Sequence, residues 1–269
     1  MVRQPITFRW VMILGVISVL LMLGLYTGIS HVQHQKNPED TTIPTWKQLG
    51  EGVRTAVEVN PRTGERWLVA DAGATAARLF LGLLFGIVGA VVLGILMGCF
   101  SWIEALLVPP LSLLAKVPPT AALAVFFVLV GTDTEMYVAM IAFGILPTLA
   151  QAIYLAVDDV PEELLYKAYT LGASQLELIW NIIARAILPK LIDAIRLQIG
   201  PAMVFLIAAE MVCGDVGFGY RIRLQSRLLN MNVVYFYLAI LAVFGFFMDY
   251  CLRLTQRVLS PWSVRGGDT

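Results

Sequence analysis

Long apolar runs alternate with short polar interruptions along the whole chain. Trp10 to Ile29 carries no charge and follows Arg3 and Arg9, which fits a first membrane span or a signal peptide. No A-x-A site follows it, because the next residues are Ser30, His31 and Val32, and the anchor reading is preferred. Residues 31–77 form the one sizeable polar region. Within it, Thr45-Trp46-Lys47-Gln48 reads as a capping box opening a helix with Trp46, Leu49, Val53 and Val57 on one face. Asn60-Pro61-Arg62-Thr63-Gly64 reads as a turn cluster. The region suits a surface cap, either receiving a binding protein or connecting two spans passively.

A second span runs from about Arg78 to Gly98. Its Gly82-x3-Gly86 and Gly94-x3-Gly98 spacings let another helix approach closely in lipid. Between Glu104 and Val130 the apolar run is interrupted at Pro109-Pro110 and again at Lys116-Val117-Pro118-Pro119. A helix broken at membrane depth is tolerated where protein or a water-filled cavity covers the freed backbone. Lys116 beside the break is therefore either a pathway residue or one that snorkels to an interface. A fourth span, Met136 to Ala156, is interrupted by Pro147. A fifth, Ile187 to Met211, carries Asp193 and Arg196 three apart and Glu210 near its end, and Val233 to Met248 forms the core of a sixth. Gly214 to Tyr220 is glycine-rich without following a strand, so it reads as a tight re-entrant connection and not a phosphate loop.

Composition agrees with this pattern. The chain of 269 residues is 58% hydrophobic and 14% charged, with a mean hydropathy of +0.77, which indicates an integral membrane protein. Zero net charge gives nucleic acid no footprint. Cys99, Cys213 and Cys251 lie scattered in or beside apolar runs and read as packing residues. His31 and His34 form H-x-x-H, two ligands short of a tetrahedral metal set.

The polar stretch from Pro161 to Pro189, stranded between two apolar runs, carries the most information. Glu162 and Glu163 suit the start of a short helix, Gly172 supplies its stop, and Glu163 can pair with Lys167. Leu164, Ala168 and Leu171 are expected along one face. A helix this short needs a groove to lie in. Ala168, Gly172, Ala173-Ser174 and Ile182 resemble the cytoplasmic loop of bacterial ABC importer permeases, whose pattern is E-A-A-x3-G-x9-I-x-L-P. The sequence departs from that pattern with Tyr166 and Lys167 at its first two positions, and with Ala184-Arg185 at its last two, Leu188-Pro189 arriving a turn later.

The second span, the Lys116 to Pro119 break, Ala209-Glu210-Met211 and Gly217-x-Gly219-Tyr220 extend the resemblance to permeases of the nitrate, taurine and sulfonate importer family. The stretch from Asp193 to Ile222 looks closest to a subset associated with urea- and guanidine-type nitrogen metabolism. The resemblance implies an all-α integral membrane protein with about six transmembrane helices. It implies an anchor helix at 1–30, an extracytoplasmic loop at 31–77, a permease core at 78–260 with its coupling loop at 157–189, and a cytoplasmic tail at 261–269. Glu162, Glu163, Tyr166, Lys167, Ala168, Leu171, Gly172 and Ala173 would then contact the ATPase, and Lys116, Pro118, Pro119 and Glu210 would line the path. Glu210 has no basic residue within one turn on its own helix: either Lys116, on another span, neutralises it and an anion such as nitrate or a sulfonate can pass, or Lys116 snorkels away and an unpaired Glu210 favours a small cation or a urea-like solute, the second being slightly preferred. The expected partners are cytoplasmic ABC ATPase subunits that hold ATP and Mg, a second permease copy forming a homodimer, a periplasmic or lipid-anchored binding protein, and membrane lipid. This chain would itself bind no cofactor.

Lys and Arg divide evenly between the two sides, so their distribution leaves the orientation open. The resemblance puts the coupling loop in the cytoplasm and, with six spans, both termini there too, in the bacterial inner membrane. No Gly-x4-Gly-Lys-Ser/Thr loop occurs, so ATP hydrolysis is assigned to a partner. The alternatives are a secondary transporter, which would show an internal repeat, and an intramembrane enzyme, which would need paired carboxylates, a Ser/His set or metal ligands at membrane depth.

Overall fold

The computed structural model describes residues 7–38, 40–59, 64 and 66–264. Helices cover most of them: α1 (Phe8–Lys36), α2 (Trp46–Val57), α3 (Trp67–Cys99), α4 (Ser101–Leu114), α5 (Leu123–Val130), α6 (Thr134–Asp158), α7 (Glu162–Thr170), α8 (Gln175–Leu178), α9 (Ala184–Cys213), α10 (Phe218–Arg227), α11 (Met231–Leu259) and α12 (Pro261–Val264). Among the described residues, five continuous helical stretches are long and apolar enough to cross a membrane: Arg9–Lys36, Trp67–Cys99, Thr134–Asp158, Gln175–Cys213 and Met231–Leu259.

Two compact units divide the chain: one holds residues up to Trp67 with Ile222–Leu238, the other Leu68–Arg221 with the chain from Ala239 onward. In the first unit the expected capping box is present, with Thr45 accepting from the Gln48 amide and Gln48 accepting from Thr45. The face that packs differs from the expected one. Gly52 and Ala56 are buried while Trp46, Val53 and Val57 are exposed, because a Cβ on Gly52 would lie 2.6 Å from the Asn232 carbonyl. Tyr26 ties α1 to this helix by donating to the Pro44 carbonyl at 2.6 Å and meeting Trp46 edge-on at 5.4 Å. His31 bonds Gln35, and His34 bonds the Ser30 carbonyl. The turn expected at Asn60 to Thr63 lies outside the described residues; Gly64 has φ +70°.

The second unit is built on α3 and α6. Every glycine of the two expected close-approach pairs meets α6: a Cβ on Gly82, Gly86, Gly94 or Gly98 would lie 2.5–2.7 Å from Ile141, Ile145, Ile153 or Val157 respectively. The constant sequence offset means that the two helices run parallel and stay in register. Small residues on one helix thus receive branched side chains from the other, the packing that substitutes for a hydrophobic driving force in lipid. Since α3 and α6 are parallel, the segment between them must return the chain across the bundle. Neither α4 nor α5 is long enough alone, and together they form the expected broken span.

Three boundaries differ from the sequence reading. α3 starts at Trp67, eleven residues before Arg78, because Asp71, Thr75 and Arg78 bury their polar groups on one helix face and so extend the helix through residues that look like a polar loop. Pro109, Pro110 and Pro147 lie inside intact helices, and the break falls at residues 115–122 alone. The helix of the fifth span begins at Gln175, twelve residues before Ile187, and passes through a π-helical turn at Ile179–Ile183 into α9. The expected pair Asp193 and Arg196 forms at 2.7 Å. Arg196 also donates to Asp249 of α11 at 2.8 Å, joining the two helices.

Candidate functional sites

The first site is the short helix α7. Gly172 takes the left-handed conformation expected of it, φ +83°. The Ala173 amide donates to Ala168 at 3.1 Å and the Gly172 amide to Tyr169 at 3.0 Å, the two bonds of a Schellman stop. Ser174 then caps the next helix reciprocally with Glu177, a Ser-x-x-Glu signal that is present in the sequence and went unread. Glu163 and Lys167 pair at 3.9 Å on the open surface. The packed face is again shifted by one residue. Leu165 and Ala168 seat α7 on the core beside Val160, Leu178 and Ile183, whereas Leu164 and Leu171, expected to share that face, point outward with Tyr166 and Tyr169. Leu171 is 87% exposed. The helix therefore presents two outward apolar edges, Leu164 with Leu171 and Tyr166 with Tyr169, on either side of its packed face.

The second site is a buried charge cluster around Glu210. Glu210 and Asp71 are fully buried, and Arg78 and Arg221 nearly so. Arg78 donates to Glu210 at 3.0 Å and to the Val216 carbonyl at 2.8 Å, and its guanidinium lies 4.1 Å from the ring centre of Tyr137. Arg221 donates through two nitrogens to Asp71 at 2.8 and 3.3 Å. The backbone amides at the start of α10 complete the set. Gly217 donates to Asp71, Phe218 to Thr75 and Gly219 to Glu210, at 2.9–3.0 Å, so side chains from α3 and α9 cap this helix from outside. The expected re-entrant loop is thus a bend of a few residues ending in a helix. The basic partner of Glu210 is Arg78 and not Lys116. The sequence reading leaves Asp71, Thr75 and Arg221 out of any site, because residues 31–77 read as a polar region and Arg78 only as the start of a span. The signal was the i, i+4, i+7 spacing on α3.

The third site is the break itself. Lys116 and Pro118 are exposed and Pro119 is buried. With Phe143, Thr148, Gln198 and Phe205 they line a cleft of about 380 Å³. A Cβ on Gly144 would lie 3.0 Å from Pro119, which fixes the depth of the break. Gly144 is roughly 15 Å from the N-terminal end of α6 and roughly 21 Å from its C-terminal end at 1.5 Å per residue. Counted along α6, the break therefore lies near the middle of that helix.

A broken apolar segment, a parallel pair of long apolar helices and an exposed short helix are the architecture of a membrane-spanning helical bundle. Residues 90–262 match the family described as the binding-protein-dependent transport system inner membrane component. The chain belongs to that family and is the permease subunit of an ABC importer, a multi-pass inner-membrane protein. It is similar to the taurine transport system permease protein TauC of Escherichia coli K12, 28% identical over 70% of this chain and 69% of that one. It is also similar to the putative aliphatic sulfonates transport permease protein SsuC of Bacillus subtilis, 30% identical over 69% of this chain and 67% of that one. An inward-facing structure of the MetNI methionine ABC transporter shares the fold at a TM-score of 0.63 and 16% identity, covering 72% of this chain and 96% of that one. The subunit is non-catalytic, and a separate ATPase hydrolyses ATP.

Proposed function

We propose that two copies of this permease form a homodimer that imports a small polar nitrogen or sulfur compound by alternating access. Two cytoplasmic ATPase subunits carrying ATP and Mg drive it, and a periplasmic or lipid-anchored binding protein delivers the solute. Residues 1–30 anchor the chain and 31–77 form an extracytoplasmic loop. Residues 78–260 form the core, with the coupling loop at 157–189, and 261–269 form a tail that lies in the cytoplasm together with the N-terminus. The coupling contact is made by Glu162, Glu163, Tyr166, Lys167, Ala168, Leu171, Gly172 and Ala173, and the path runs by Lys116, Pro118 and Pro119.

The observation that carries this reading is the pair of outward apolar edges of α7, Leu164 with Leu171 on one side of its packed face and Tyr166 with Tyr169 on the other, held by the left-handed stop at Gly172. An amphipathic helix with such an edge suits a groove on a partner. The two relatives named for taurine and aliphatic sulfonates favour a sulfur compound as solute. The urea and guanidine class drew its local support from an unpaired Glu210, and Arg78 now neutralises that carboxylate. A Gly172→Val variant is expected to reach the membrane and lose transport, since a β-branched residue resists the left-handed conformation. Uptake at the wild-type rate in proteoliposomes would overturn the assignment.

A further inference from the structure

Among the described residues, neither the Lys116 ammonium nor the Gln198 amide nitrogen meets a protein acceptor. Among the described residues no carboxylate lies within ion-pairing distance of Lys116. Gln198 accepts from the Thr148 hydroxyl through its carbonyl oxygen at 3.4 Å. Both line the cleft at the break. Thr148 stands in the same wall, its hydroxyl within reach of the Ile145 carbonyl at 3.1 Å and of Gln198. An ammonium held near the middle of a bilayer is costly unless water or an opposite charge meets it.

We infer that Lys116, Thr148 and Gln198 form an anion-selective subsite in the permease itself, one that favours a small solute bearing an oxyanion such as a sulfonate. The inference rests on the cleft being part of the solute path and adds a residue-level source of selectivity to it. Lys116 supplies the charge, Gln198 supplies a neutral donor that fixes an oxygen, and Thr148 orients the Gln198 amide. The aromatic walls, Phe143 and Phe205, leave room for an apolar body. Glu210, bonded to Arg78 and Thr75 and fully buried, contributes no opposing charge to a solute.

The test uses reagents in place of the unidentified solute. The full complex with its ATPase is prepared with Cys99→Ala, Cys213→Ala and Cys251→Ala, and Val117→Cys supplies a half-exposed thiol in the cleft wall. Modification rates are compared for two methanethiosulfonates, one carrying a sulfonate and one a trimethylammonium, with and without ATP and vanadate. The ratio of anionic to cationic rate is expected to fall about tenfold when Lys116→Gln is added, the equivalent of about 1.4 kcal/mol. Gln198→Glu is expected to lower the same ratio with Lys116 intact. If both reagents react and the ratio ignores both substitutions, the subsite is overturned while the path stands. If neither reagent reacts in any nucleotide state, water does not reach the cleft, and the path reading fails along with the subsite.

Discussion

Glu210 and Lys116 are both ionisable groups inside an apolar bundle, and the protein treats them in opposite ways. Glu210 is enclosed by Arg78, Thr75 and the Gly219 amide, beside a second pair in which Arg221 holds Asp71. Two acids and two guanidinium groups balance, and the start of α10 is capped by the same carboxylates. Lys116 instead faces a cleft, with a hydroxyl, an amide and aromatic rings around it. Buried pairs of the first kind contribute little net stability, yet removing one partner leaves a charge that nothing compensates. A cluster so fully bonded fixes geometry, joining the start of α3, the end of α9 and the start of α10. A lone charge beside a cavity is what a moving solute can use.

The largest effect is expected where the cluster is broken. Arg78→Met leaves Glu210 buried without its cation and the Val216 carbonyl without a donor. A loss of about 3–5 kcal/mol is expected, read as a steep fall in the melting temperature of the purified protein in detergent. Arg78→Met combined with Glu210→Met is expected to recover part of it. A melting temperature close to wild type for Arg78→Met alone would mean that the cluster is open to water, and the contrast with Lys116 would collapse.

The fit of the bend to Glu210 gives a smaller effect of the same origin. Gly217 has φ +122°, and a Cβ there would lie 2.5 Å from a Glu210 carboxylate oxygen. Gly217→Ala therefore strains the backbone and pushes the carboxylate off Arg78 together, with an expected cost on the order of 1–3 kcal/mol. Gly24, whose missing Cβ faces open space on α1, is the matched control, and Gly24→Ala should leave the melting temperature unchanged. Equal behaviour of the two variants would show that the bend is loosely held.

Features that depend on spacing along one helix were legible in the sequence. The glycine pairs of α3, the Thr45 capping box, the Gly172 stop and the break at Pro118-Pro119 each carry their cause locally. Features that depend on which helix stands opposite were not. The expected face of α2 used its largest apolar residues, whereas the structure buries Gly52 and Ala56, and of the expected α7 face only Ala168 is buried, because close approach selects small side chains and leaves large ones outside. The mate of Glu210 lies on a helix more than a hundred residues earlier, and Arg78 looks like no more than the start of a span until the turns of α3 are seen. Depth was also hidden: the contact of Gly144 with Pro119 places the break near the middle of α6.

The smallest expected effect is on the other side of the comparison. Lys116 has no carboxylate to orphan, so Lys116→Met removes a charge from the bundle and keeps the stem that packs along the cleft. Nothing that Lys116 satisfies is left behind, and the cost of holding an ammonium near mid-span disappears with it. The melting temperature is therefore expected to stay within the change of about 0.5 kcal/mol typical of a substitution that breaks no buried bond, or to rise slightly. Transport of a sulfonate solute by the same preparation should fall, which separates a group kept for passage from one kept for structure. A destabilisation approaching that of Arg78→Met would show that Lys116 has a buried acidic partner, making the cleft neutral and removing the basis for its preference for anions.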